Sequence, residues 1–278
     1  MPEPPRKRPR PFMPTPFFHS DPARRSITWW RDRVLRPMAD ALLAQSCALC
    51  HLPSGQDSVC AACVKDLPLL ATTHAGRCHR CALPLTGGLE YCPDCAQQRP
   101  HFDSACAVWA YDFPIDTLIR DFKYGHHLYL GRFFAEHLAR TLEQTWAASG
   151  QIKPDLIVPM PLHPNRLKTR GFNQAAEIAR HLAKQLNIPC AIHALNRVYD
   201  TPPQAGLHRE ARWRNLVGAF ACPQPLEAQH LLLVDDVLTT GASLSACAEA
   251  LRHAGAVRVD VAVVARTPAS AGQSHSLR

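Results

Sequence analysis

LLLVDDVLTTGAS, residues 231–243, joins an apolar run to two carboxylates and then to a loop rich in hydroxyls with one glycine. Leu231 to Val234 are too few and too uniformly aliphatic for a surface element, so they predict a buried strand. From Ser243 onward, Leu244, Cys247, Ala248 and Leu251 fall on one helical face. The loop therefore sits at a strand's carboxyl end. There the backbone N–H groups and hydroxyls of Thr239, Thr240, Gly241, Ala242 and Ser243 can converge on a phosphate, assisted by the positive end of the helix. Asp235 and Asp236 are then placed for sugar hydroxyls or Mg²⁺. The plainer alternative is a capped turn, but a turn needs one capping side chain. This stretch supplies two carboxylates, three hydroxyls and a glycine in one register.

A second unit of the same kind lies upstream. Asp155 to Pro161 (DLIVPMP) predict another buried strand, and Phe172, Ala175, Ala176, Ala179, Leu182, Ala183 and Leu186 line one helical face after it. Between them His163, Arg166, Lys168 and Arg170 fall on a polar loop, with Asn173 and Gln174 read as helix caps. In a parallel sheet this loop opens on the same edge as residues 239–243, so the two can hold opposite ends of one anionic ligand. A solvated basic loop is the alternative. Ala105 to Tyr111 read as a strand and Ile115, Leu118, Ile119 and Phe122 as a helix face, while Gly255 closes the later helix before a strand at Val257 to Val264. Strands alternating with helices predict an α/β fold whose parallel sheet is covered on both faces.

Eight of the twelve cysteines form four C-x-x-C pairs, Cys47/Cys50, Cys60/Cys63, Cys78/Cys81 and Cys92/Cys95. Each pair can present two thiolates to one tetrahedral Zn²⁺, so the four predict two closed, structural Cys₄ sites. Sequential pairing is the simplest, and an interleaved arrangement stays open. Redox-active pairs would call for a thioredoxin-like βα context, which is not seen here. Cys106, Cys190, Cys222 and Cys247 stand in apolar surroundings and read as small buried hydrophobes.

The 278 residues suffice for about two domains. Of the formal charge of +8, the first 36 residues carry +6, leaving +2 for the rest. Two loaded Cys₄ sites, each of net charge −2, would lower the total to about +4. The Pro-rich basic leader reads as a solvated tail or a polyanion-attracted arm. Ile27, Trp30, Val34, Met38 and Leu42 predict short helical packing near Pro37, with a membrane-surface helix as the alternative. No apolar run follows the basic residues as in a secretory signal, and no stretch reaches the roughly 20 apolar residues of a membrane span. The expectation is a cytoplasmic chain without a transmembrane segment.

Residues 231–243 resemble the phosphoribosyl-diphosphate (PRPP) motif of type I phosphoribosyltransferases, in which paired acids meet the ribose 2′ and 3′ hydroxyls. That role falls by resemblance on Asp235 and Asp236 as catalytic residues, with the 5′-phosphate in Thr239 to Ser243. Thr239 stands where some members carry an acid that deprotonates the incoming base, so the resemblance supplies no general base from the loop. The whole pattern is similar to the ComF/GntX family, carried by the cysteine ladder, FKYG at 122–125, PLHPNRLKTRGFNQ at 161–174, TPPQAGLHREARWRNLVGAF at 201–220 and the PRPP motif. The cysteine pairs end near residue 100, so the expected order is a leader with a short helix at 1–40, a zinc module at 41–100, an α/β domain at 101–268 and a tail at 269–278. The resemblance, over about residues 47–268, implies that these are a double zinc ribbon joined to a type I phosphoribosyltransferase-like domain. It further implies Mg²⁺ with PRPP or a related ribose phosphate, the diphosphate near His163, Arg166, Lys168 and Arg170, with Lys123, Tyr124 and Arg214 reaching the ligand. Residues 201–214 resemble a hood that closes over it. The family is associated with natural competence and DNA uptake, which makes single-stranded DNA and a competence helicase candidate partners. A phosphoribosyltransferase of unknown acceptor is one reading. A non-catalytic DNA- or partner-binding module that keeps the PRPP fold is the other, against which stands an aromatic content of only 7%.

Overall fold

The computed structural model describes residues 45–70, 76–199, 216, 218–226 and 229–268. The leader, the helical segment expected at residues 27–44, the hood at 201–214 with Arg214, and the tail lie outside the described residues.

In chain order the elements are β1 (Gln45–Ser46), β2 (Pro53–Gly55), α1 (Ala61–Lys65), α2 (Pro93–Gln97), β3 (Ser104–Ala110), α3 (Ile115–Tyr124) and α4 (Tyr129–Ser149). There follow β4 (Leu156–Pro159), α5 (Pro164–Arg170), α6 (Gln174–Leu186), β5 (Asn196–Arg197), β6 (Phe220–Ala221), β7 (His230–Leu238), α7 (Ala242–His253) and β8 (Arg258–Arg266). The central sheet has the order β3-β8-β7-β4, and every neighbouring pair in it is parallel.

Strand β7 explains why the sequence shows an unbroken aliphatic run. Leu231 and Leu233 enter one core with Val259, Val261 and Val263, whereas Leu232 and Val234 enter the other with Ala262 and Val264. A strand buried on both faces has no polar side to alternate with. Helix α7 covers the first face through Leu244, Cys247, Ala248 and Leu251; α3, α4 and α6 cover the second. The expected α/β sheet with helices on both faces is therefore present. Strand β7 does not stop at the fourth aliphatic residue. Asp235 and Asp236 lie within it, the loop begins at Thr239, and the helix starts at Ala242 instead of Ser243.

The cysteine-rich segment is built into this sheet. Leu70 N–H donates to the Val108 carbonyl at 2.9 Å and Ala110 N–H to the Pro68 carbonyl at 2.9 Å, so residues 68–70 lie antiparallel along the outer edge of β3. Covering that edge removes a row of unpaired backbone groups. Cys47 with Val59 and Leu67 joins the core on the α4 face, and Cys78, Cys81, Cys92 and Cys95 join the core on the α7 face. The two cysteine groups thus pack on opposite faces of one sheet.

Candidate functional site

Gly241 turns the chain from β7 into α7 at φ +80°, a conformation that side chains bearing a Cβ rarely adopt. Space is not what demands glycine. A Cβ there would meet Leu238 at 3.5 Å and Phe102 at 3.7 Å, ordinary contact distances. Thr239 is exposed, Thr240 and Ser243 are half-buried, and Ala242 N–H lies 3.5 Å from Thr240 Oγ1. The loop therefore leads into the N-terminal end of a twelve-residue helix, where unsatisfied backbone donors and the helix dipole favour an anion.

The two carboxylates before the loop differ in surroundings. Asp236 is 8% exposed, and Lys123 Nζ of α3 lies 2.8 Å from its Oδ2. Burial opposes the Lys123 charge, but the Asp236 and Asp235 carboxylates outweigh it and hold the ammonium above the usual lysine value. Asp235 accepts the Asp236 backbone N–H at 2.9 Å, and burial together with the Asp236 charge pushes its carboxyl up to about 7. The pair can therefore carry one labile proton near neutral pH.

Across the sheet edge, the segment expected as a basic loop is largely helical. Pro164 opens α5, and His163 caps it by accepting the Asn165 N–H on Nδ1 at 3.3 Å. Helical spacing decides which cations converge: Arg166, Thr169 and Arg170 line a cavity of about 520 Å³ together with Lys123, Tyr124 and His126, whereas Lys168 is not in that lining. Arg170 Nη1 donates to Gln174 Oε1 at 2.8 Å, and its guanidinium lies 5.3 Å from the centre of the exposed Tyr124 ring. Asn173 does cap α6, accepting from Ala176 N–H. Gln174 does not; it is 2% exposed and orients Arg170. The sequence gives no periodic signal for that task, because Arg170 ends one helix and Gln174 begins the next, with Gly171 in the left-handed conformation between them.

The cysteine pairing is sequential. Cys47, Cys50, Cys60 and Cys63 form one cluster and Cys78, Cys81, Cys92 and Cys95 the other, with the sulfurs of each cluster within 4.8 Å of one another. Cys50 and Cys60 sulfurs are 3.8 Å apart and Cys81 and Cys92 sulfurs 3.6 Å. A tetrahedron with metal–sulfur bonds of about 2.3 Å has edges of about 3.8 Å, so both clusters fit one Zn²⁺ each. Backbone N–H groups of Leu49 and Cys60 point at Cys47 Sγ, and that of Cys95 at Cys92 Sγ, as suits thiolates. Of the isolated cysteines, Cys247 is fully buried, while Cys106, Cys190 and Cys222 are only half-buried.

Two family descriptions match the chain, a double zinc ribbon domain over residues 38–114 and a phosphoribosyl transferase domain over residues 167–276. The DNA utilization protein YhgH of Escherichia coli is 30% identical over 80% of this chain and 96% of that protein. The chain belongs to the ComF/GntX family. The same protein from Salmonella typhimurium is 31% identical over 80% of this chain and 96% of its own length, and competence protein F of Haemophilus influenzae is 28% identical over 78% and 93%. Among solved structures, a purine phosphoribosyltransferase from Pyrococcus horikoshii aligns with 49% of this chain and 84% of its own at 17% identity and a TM-score of 0.31, a distant likeness. This ComF/GntX member has no helix, among the described residues, long and apolar enough to cross a membrane.

Proposed function

We propose that this protein binds Mg²⁺-PRPP and transfers its ribosyl phosphate to a nitrogen nucleophile, in the service of DNA utilization. The observation that supports this best is the meeting of Asp235 and Asp236 with Lys123 beside the cavity of Arg166 and Arg170. The 5′-phosphate sits on the backbone donors of Thr239 to Ser243, and the ribose hydroxyls on the two carboxylates. The diphosphate takes Lys123, Arg166 and Arg170, with His163 at the start of α5. Mg²⁺, when bound, neutralises diphosphate charge, and the carboxylates are its hard oxygen partners.

Charge decides the direction of the chemistry. As the C1–O bond to diphosphate breaks, the bonding pair leaves with the oxygen, and the cations of α3 and α5 stabilise it. The negative Asp pair faces the ribose as C1 becomes cationic. The nucleophile's nitrogen then forms the C1–N bond and gives up its proton to solvent or to Asp235, whose raised carboxyl can accept one near neutral pH. Two Zn²⁺ ions fill the Cys₄ clusters and hold structure only, since four thiolates leave no open position for water.

Calorimetric titration with Mg²⁺-PRPP, followed by diphosphate release over a panel of amines and nucleobases, tests the reading. Saturable binding that Asp235→Asn with Asp236→Asn weakens at least about tenfold is the expected result. No binding at millimolar ligand overturns it. Binding without turnover, accompanied by salt-sensitive affinity for single-stranded DNA, would favour the non-catalytic module.

A further inference from the structure

Arg266, the last residue of β8, is 8% exposed and its guanidinium spends every nitrogen on two places. Nε donates to the Cys81 carbonyl at 2.9 Å, and Nη2 lies 3.8 Å from Cys81 Sγ. Nη1 faces the carbonyls of Leu238, Thr239 and Thr267 at 3.1, 2.7 and 2.6 Å. One side chain therefore joins a thiolate of the second cysteine cluster to the first residue of the candidate phosphate loop. A second contact runs parallel to it. Phe102, 2% exposed and in one core with Cys78, Cys81, Cys92 and Cys95, lies directly under Gly241.

We infer that Arg266 is a positioning residue through which the second zinc site sets the shape of the ribose-phosphate loop, so that zinc at Cys78/Cys81/Cys92/Cys95 and ligand at Thr239 to Ser243 stabilise each other. The inference rests on the proposed PRPP reading. Its physical basis is that a planar guanidinium with five fixed donors transmits position, where a flexible ammonium would not. A four-thiolate Zn²⁺ site keeps a net charge of −2, which holds the guanidinium on Cys81 and leaves its other edge aimed at the loop carbonyls. When zinc leaves, Cys81 loses its fixed place and Thr239 loses its tie. Among the described residues the first cluster shows no such hydrogen-bonded path: Cys47 packs in the opposite core, with Trp109 and the α4 side chains.

Linkage makes the effect reciprocal in affinity, so ligand raises the zinc affinity of the second site by the factor by which zinc raises ligand affinity, and slower zinc loss to a chelator is its kinetic sign. The full chain, loaded with two zinc ions, is mixed with an excess of chromogenic chelator with and without saturating ribose 5-phosphate, and again with Mg²⁺-PRPP. The expected result is that one of the two zinc equivalents is released about fivefold or more slowly with either ligand, and the other at an unchanged rate. The slowed equivalent is the one that remains in Cys50→Ser, which loses the first site. Arg266→Lys keeps a positive charge but cannot span Cys81 and Thr239; it abolishes the ligand effect on zinc release and weakens ribose 5-phosphate binding by a similar factor. Because the first measurement uses the wild-type chain, a poorly folding variant does not blunt the test. Ligand binding with equal retardation of both zinc equivalents, or of neither, overturns the inference alone. Failure of the wild-type chain to bind either ligand removes both the inference and the PRPP reading.

Discussion

Asp235 is the residue whose chemistry differs most from its composition-level description. Its carboxyl stands at about 7 in the folded chain against 3.8 ordinarily, because this half-buried group is shielded from water beside another acid. Between those values the folded state holds a proton that the unfolded state has released, so this group makes stability fall as pH rises through that window. Asp235→Asn removes the dependence without changing size. It should raise the melting temperature only slightly at pH 5 and by a few degrees more at pH 8, where the loss is complete, measured by thermal unfolding. A lower melting temperature at pH 8, or an equal gain at both pH values, would contradict the proton-holding Asp235. Lys123 gives the pair its other half. The ammonium lies on Asp236, so the site is kept closer to neutral than two adjacent carboxylates suggest.

At the scale of elements, α5 and α6 divide the work of binding an anion from the work of aiming the cation. Gln174 Oε1 accepts from Arg170 while its own Nε2 is buried without a partner among the described residues, so Gln174 is held for orientation at some cost. Gln174→Leu removes both the acceptor and the orphaned amide. Its melting temperature should stay close to that of the wild type while the PRPP dissociation constant rises about tenfold, as loss of one charge-assisted hydrogen bond implies. Calorimetry beside a melting curve decides it; a large stability loss with unchanged affinity would assign Gln174 to packing instead. The same pair of helices marks what sequence reading reaches. The aliphatic runs at 156–159 and 231–234 and the 3.6-residue faces of α3, α6 and α7 were legible because local burial writes a period. Helix α4 went unread, although Leu130, Phe134, Leu138 and Leu142 recur every four residues and Gly150 ends it in the left-handed conformation. The helical state of residues 164–170 was hidden because a short helix of polar side chains, none of them buried, has no apolar stripe to reveal it. Arg266 was equally silent, since its partners lie 185 residues away at Cys81 and 27 away at Thr239.

For the whole molecule, the question is whether the cysteine clusters are an appendage or part of the core. The described residues from Gln45 onward belong to one compact unit. The first cluster shares its core with Trp109, Phe133 and Phe134, and the second shares its own with Val261, Val263 and Leu251. Residues 68–70 between them cover the edge of β3, so neither face of the sheet is complete without a cluster. Structural zinc sites contribute about 10–16 kcal/mol in small zinc-finger peptides, as much as the roughly 5–15 kcal/mol by which a whole domain is stable. Removing both ions from this arrangement should therefore unfold the sheet and its helices together. Titration of the zinc-loaded chain with a strong chelator at 37 °C, followed by far-ultraviolet circular dichroism, should show the helical signal of α3, α4 and α6 falling with zinc release and returning when zinc is restored. A helical signal that survives complete zinc removal would mean that the α/β layers stand alone, and that the shared cores contribute less than the sheet's own packing.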